Sequence, residues 1–197
     1  MEYLGRPPPK PEEIFVVPPS LLLAAGTVAA KLSGVESSWG LMGDLAENLQ
    51  GVHVRPKDVQ IVTDAEGLKE IVSRLAEYHL PEPTSLEGRL DREAEIDDKK
   101  FPVFTRSRSA RGTISGADVR VHGDYQMKVG DWEWGDPVIF EPLMVNLAGV
   151  EVPVMPLRIA SEIYLTLGWV DRVQEISEAV GRAHHALHEQ TAGEPVY

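Results

Sequence analysis

The segment from Trp39 to Gly67, WGLMGDLAENLQGVHVRPKDVQIVTDAEG, constrains this chain more than any other stretch. Four apolar-rich residues, Trp39-Gly40-Leu41-Met42, run into Gly43 and a helical stretch from Asp44 to Leu49. After a turn around Gly51 comes Asp58-Val59-Gln60-Ile61-Val62-Thr63, a β-branched run that reads as a strand. Thr63 or Asp64 then caps a helix on which Leu68, Ile71, Val72 and Leu75 recur at helical spacing. Upstream, Ser20 is a cap for a helix through Leu21, Leu22, Ala25, Val28 and Ala29, ending near Lys31 with Ser33-Gly34 as its stop. The order is α-β-α-β-α, and such an order asks for a sheet flanked by helices.

The flanks differ in kind. Residues 1–19 hold Pro7, Pro8, Pro9, Pro11, Pro18 and Pro19, which fix φ and remove amide donors, so they read as an extended arm. Residues 81–100 are polar and mixed in charge, and read as a surface loop with one short helix. A β-rich portion follows: Phe101 to Phe104, Gly112 to Ser115, Asp118 to His122, a hairpin-like Trp132-Glu133-Trp134, Val138 to Phe140, Leu143 to Leu147 and Val150 to Val154. Leu157 to Leu167 has helical periodicity, Gly168 breaks it, and Trp169 to His188 forms a last helix. The chain divides into an arm (1–19), an α/β core (20–156) and a C-terminal helical segment (157–197).

Composition narrows the chemistry. The 197 residues contain no Cys, which excludes disulfides, thiolate zinc sites, iron–sulfur clusters and Cys nucleophiles. A net charge of −12 disfavours nucleic acid and anionic membrane as partners. The start lacks the pattern of a signal peptide, and Leu21 to Ala25 is far too short to span a bilayer. The expectation is a soluble, cytoplasmic protein.

Chemistry concentrates at the Gly43 turn and the Asp58 strand. A glycine between strand and helix lets backbone approach a ligand, and a helix start offers N–H groups to phosphate. Carboxylates at i and i+2 of a strand share a face and can hold the metal ions of a phosphoryl-transfer site. Arg106, Arg108 and Arg111 make a basic patch that either holds phosphates or is a solvated loop in an acidic protein. His184 and His188 stand at i and i+4, a metal-gripping spacing, with His185 beside them; without a third ligand they read as a solvated helix face.

The segment from Trp39 to Gly67 resembles the core motif of the minimal nucleotidyltransferase superfamily. There a hydrophobic strand ends in Gly-Gly or Gly-Ser, a helix follows, and a second strand carries Asp-x-Asp. ARGTISGADVRVHGDYQ is similar to the family's later strand pair, where a third carboxylate sits, and PVMPLRIASEIYLTLGWVDRVQEI resembles its Leu-rich and closing helices. The resemblance implies an α+β fold, a nucleotidyltransferase-like mixed β-sheet flanked by helices with C-terminal helices.

Carried over residue by residue, the resemblance implies nucleotide contacts at Gly43, Asp44, Arg106 and Arg108. It implies a catalytic, Mg²⁺-binding carboxylate at Asp58 and an NTP as substrate or ligand. The same alignment puts Asp44 where the family prefers Gly or Ser, Gln60 at the second carboxylate and Arg120 at the third. Gln60 is a poor ligand for a hard dication, and the charge of Arg120 opposes one. A register error of two residues would bring in Asp118, with Asp124 just beyond. Two functions follow as expectations: metal-dependent transfer of a nucleoside monophosphate from an NTP to an unknown acceptor, or a catalytically inactive relative that binds a nucleotide or a protein partner.

Overall fold

The computed structural model describes residues 16–192, with side chains as far as 184. Most of the arm therefore lies outside the described residues, as do the side chains of His185 and His188.

Five helices and two sheets make up the described chain. Helix α1 (Pro19–Lys31) starts one residue before the expected cap: Pro18 precedes it, no side chain caps it, and Pro19 occupies the first turn, where a missing N–H costs nothing. Strand β1 (Trp39–Met42), helix α2 (Gly43–Leu49), strand β2 (Val59–Thr63) and helix α3 (Ala65–Arg74) follow in the expected order. Asp64 caps α3 by accepting from Gly67 N at 2.7 Å.

Residues 81–100 are not a loop with a short helix. They form β3 (Thr84–Arg89), β4 (Ala94–Ile96) and the start of β5 (Lys99–Phe101). Every residue of β3 is exposed, so no apolar alternation marks it; backbone pairing to its neighbour holds it at the sheet edge. The short strands expected from 101 to 122 belong mainly to a long hairpin, β6 (Val103–Ile114) and β7 (Ala117–Val129). The Trp132–Trp134 and Val138–Phe140 stretches are not strands. They run beside the free edge of β7, where Gly135 N and Val138 N donate to Met127 O and Tyr125 O. Trp132 and Trp134 consequently share no strand face. Strands β8 (Leu143–Leu147) and β9 (Val150–Val154) and helices α4 (Leu157–Thr166) and α5 (Val170–Ala192) complete the chain.

The main sheet has seven strands in the order β3-β6-β7-β2-β1-β9-β8, while β4 and β5 pair separately. It is mixed: β2 runs parallel to β7 and antiparallel to β1. One face carries Leu41, Val59, Ile61, Val119 and Val121, buried under Leu21, Ala24 and Val28 of α1 and Leu68 and Ile71 of α3. Period-2 alternation on the strands meets period-3.6 alternation on the helices, and the result is a continuous apolar core.

The hairpin register slips once. Arg106 pairs with Gln126 and Arg108 with Gly123, so β7 holds one extra residue at this point, and Asp124 adopts φ +51°. The bulge changes which side chains face the second side of the sheet. That side carries Arg120 and His122 before the bulge, then Tyr125 and Met127 after it.

Candidate functional site

On the second face, β1, β2 and β7 form the floor of a cavity of about 420 Å³, walled by α4, α5 and the turn at Leu90–Arg92. Its floor includes Met42, Gly43, Gln60 and Tyr125; Tyr164 and Trp169 stand in the wall. Most of its lining is apolar, with Met127, Met155, Val138 and Ile163 prominent.

The Gly43 turn and the Asp58 strand meet at this floor. Gly43 has φ +72°, a conformation that L side chains rarely adopt, and an added Cβ would lie 3.9 Å from the Gln60 amide. Gln60 Nε2 donates to Asp58 Oδ1 at 3.0 Å. Strand β7 supplies the next position: Gln60 and Arg120 are direct partners in the parallel ladder, so their side chains leave the same face on neighbouring strands. Asp58, Gln60 and Arg120 are thus adjacent, in the alignment the sequence suggested.

Their chemistry does not suit a magnesium ion. A hard dication asks for carboxylate and carbonyl oxygens, whereas Gln60 turns its amide N–H toward Asp58 and Arg120 brings a fixed positive charge. The alternative carboxylates are committed elsewhere. Asp118 forms an ion pair with Arg111 at 2.6 Å, and Asp124 Oδ1 accepts from Ala65 N at 3.2 Å, at the start of α3. Among the described residues no three His, Asp or Glu side chains gather where they could hold a metal.

Asp44 also lines the cavity, and its charge has a partner that sequence reasoning missed. Arg172, in the first turn of α5, donates from Nη2 to Asp44 at 2.9 Å and to Glu47 at 2.5 Å, and from Nη1 to Glu175 at 2.9 Å. Glu47 is only 1% exposed, and its other oxygen accepts from the Tyr164 hydroxyl. Burial raises the Glu47 pKa, against the opposing charge of Arg172 and the Tyr164 hydrogen bond. Burial also pushes the Tyr164 phenol up, with Glu47 adding to it. Desolvation pulls the Arg172 guanidinium down, but Glu47, Tyr164 and Asp44 outweigh that and leave it raised. This network ties α5 to α2 and places a cation against Asp44. The only sequence signal was a glutamate on the inward side of a short apolar helix; nothing local pointed to Arg172.

Arg106 and Arg108 do not line the cavity. Arg106 lies over the Trp134 ring at 4.5 Å and donates to Gln126 Oε1 at 2.8 Å, while Arg108 donates to Pro83 O at 3.1 Å. The basic patch is therefore split among separate partners. One further polar group is notable: His122 is 3% exposed, its Nδ1 lies 3.0 Å from Ser107 Oγ, and its Nε2 has no hydrogen-bond partner. Burial, helped by the charge of Arg120, lowers its pKa to about 4, and burial pushes that of the neighbouring Tyr125 up to about 12.

No protein-family model matches the sequence, and no curated protein matches it either. Solved structures do. A Thermotoga maritima protein designated a nucleotidyltransferase superposes with a TM-score of 0.59 at 25% identity, covering 85% of this chain and 97% of that one. The lincosamide antibiotic adenylyltransferase LnuA gives 0.44 at 9% identity, covering 83% and 98%. The antibiotic-resistance factor ANT(2'')-Ia gives 0.43 at 10% identity, covering 88% and 92%. The chain has a nucleotidyltransferase-like fold, an α+β arrangement with its mixed sheet flanked by helices. Among the described residues no helix is long and apolar enough to cross a membrane.

Proposed function

We propose that this protein binds a nucleotide in the cavity and does not carry out metal-dependent nucleotidyl transfer. The observation that carries the reading is at the floor, where Asp58 is hydrogen-bonded by the Gln60 amide and Gln60 in turn pairs with Arg120 on the neighbouring strand. Two-metal transfer needs clustered carboxylates to hold both ions, and two of the three expected carboxylates are replaced by an amide and a cation. The cavity itself supports ligand binding. Its volume falls within the usual range of roughly 300–1,000 Å³ for small-molecule sites, and aromatic and sulfur-bearing side chains offer a surface for a nucleoside. The competing reading, transfer of a nucleoside monophosphate to an unknown acceptor, retains Asp58 and the Gly43 turn but lacks the donor set for the ions.

Calorimetric titration with each of the four common NTPs, paired with a pyrophosphate-release assay in Mg²⁺, tests the reading. Binding of at least one NTP without turnover is the expected result. Failure of all four to bind overturns it, and turnover that disappears in Asp58→Ala restores the transfer reading. The double substitution Gln60→Asp with Arg120→Glu rebuilds the carboxylate set and is expected to strengthen Mg²⁺ binding.

A further inference from the structure

We infer that Arg120 takes over the role of a divalent cation in this site, so that the phosphates of a bound nucleotide are held without a metal. The inference rests on the nucleotide-binding reading above and deepens it.

The cations around the site differ in how far they are already engaged. Arg172 serves three carboxylates. Arg92, in the cavity wall, is paired with Asp171. Arg111 is paired with Asp118, and Arg106 and Arg108 are engaged by Gln126 and Pro83 O. The side chains of Arg120 and Lys57 have neither a hydrogen bond nor an ion pair, a state shared among the described residues by Arg55, Lys99, Lys100 and Lys128. Lys57 lines the cavity beside Asp58.

Arg120 is half-buried and pairs in register with Gln60, which lines the cavity, while Arg120 itself stands one strand beyond the lining. Holding a guanidinium partly out of water with no anion is costly, which makes the position suited to an anion supplied from outside. Beside Asp58 stand Lys57, in the cavity lining, and Arg120, opposite Gln60 on the next strand, while Asp91 adds a carboxylate at the Leu90–Arg92 turn. At the Asp44 end three carboxylates outnumber Arg172. The asymmetry orients a nucleotide, with phosphates at the Gln60–Arg120 end and the nucleoside against the apolar and aromatic wall. A planar guanidinium meets two phosphate oxygens at once, as an amide cannot, and its charge does not depend on a bound ion.

The test titrates the NTP that binds best, and its parent nucleoside, into wild-type protein in EDTA and in Mg²⁺. The NTP is expected to bind at least tenfold tighter than the nucleoside, with affinities in EDTA and Mg²⁺ agreeing within about twofold. Arg120→Gln should bring the NTP down to the nucleoside's affinity, with Arg120→Lys intermediate. Binding that requires Mg²⁺ overturns this inference and leaves nucleotide binding standing. Equal affinity for NTP and nucleoside in the wild type overturns it as well, without recourse to a variant. If no NTP binds the wild type under either condition, the underlying reading fails and the inference with it.

Discussion

The two faces of the central sheet are built on opposite terms. Under α1 and α3 the strands present Val59, Ile61, Val119 and Val121, all fully buried among other apolar side chains. On the reverse, the same strands present Gln60, Arg120 and His122, and the helices above contribute a buried glutamate locked to an arginine. The first face gains stability from area removed from water, about 25 cal/mol per Å². The second must satisfy each polar group one by one, and His122 Nε2 shows that it does not fully succeed. Stability thus belongs chiefly to one side of the sheet, and the cavity with its polar groups to the other.

Four substitutions or conditions can break or sharpen that contrast. The largest effect is expected where the second face depends on backbone proximity. A Cβ on Gly168, at φ +68° between α4 and α5, would fall 1.7 Å from the Glu95 carbonyl oxygen. Gly168→Ala must therefore separate the β4–β5 hairpin from the C-terminal helices, at a cost of about 4 kcal/mol in urea unfolding. A smaller loss there than at Ile61 would mean that the hairpin shifts freely. Ile61→Ala, on the apolar face, is expected to cost about 3 kcal/mol, measured in the same way. A loss below about 1 kcal/mol would show that this core collapses around the gap and does not carry the stability assigned to it.

Acid should act through the reverse face. The folded pKa of His122, about 4, lies below the ordinary value of 6.5, so the unfolded chain takes up its proton first. The penalty is absent above pH 6.5 and grows as pH falls toward 4; between pH 7 and pH 5 it amounts to about 2 kcal/mol. Unfolding curves across that range, compared with His122→Gln, should show the slope flatten in the variant. The smallest effect is expected at Gln60→Leu, which removes one half-buried hydrogen bond and should change stability by less than about 1 kcal/mol. A large loss there would make Gln60 a structural residue and weaken its assignment to the ligand site.

The apolar face could be read in the sequence because its signals are local. Leu68 and Ile71 announce the inner side of α3 within one turn, and Val59 and Ile61 do so within one strand. The edge strand β3 was invisible for the converse reason: it is exposed throughout, so no hydrophobic period distinguishes TSLEGR from a loop. At the site, the Gly43 turn and Asp58 stand out in the residues themselves, whereas Gln60 and Arg120 enter only through the family resemblance; the ladder brings Gln60 and Arg120 together. The Arg172 clamp was not found, since it joins residues 128 apart to Asp44 and 125 apart to Glu47. A charged residue near the start of a helix looks the same whether it faces solvent or a buried carboxylate.

The extra residue at Asp124 works like an inserted letter in a message read two characters at a time. Upstream of it the even-numbered residues of β7 face the ligand side; downstream the odd-numbered ones do. Deleting Asp124 would remove the extra residue, so that Tyr125 follows Gly123 directly and every later position keeps its partner and its face. Pairing the full sequence without the bulge would instead direct Gln126 and Lys128 inward in place of Tyr125 and Met127, replacing apolar side chains with an amide and a cation. Much of this cavity's character is therefore encoded in a count of residues: with Asp124 standing outside the ladder, Tyr125 and Met127 reach the cavity and Gln126 and Lys128 do not.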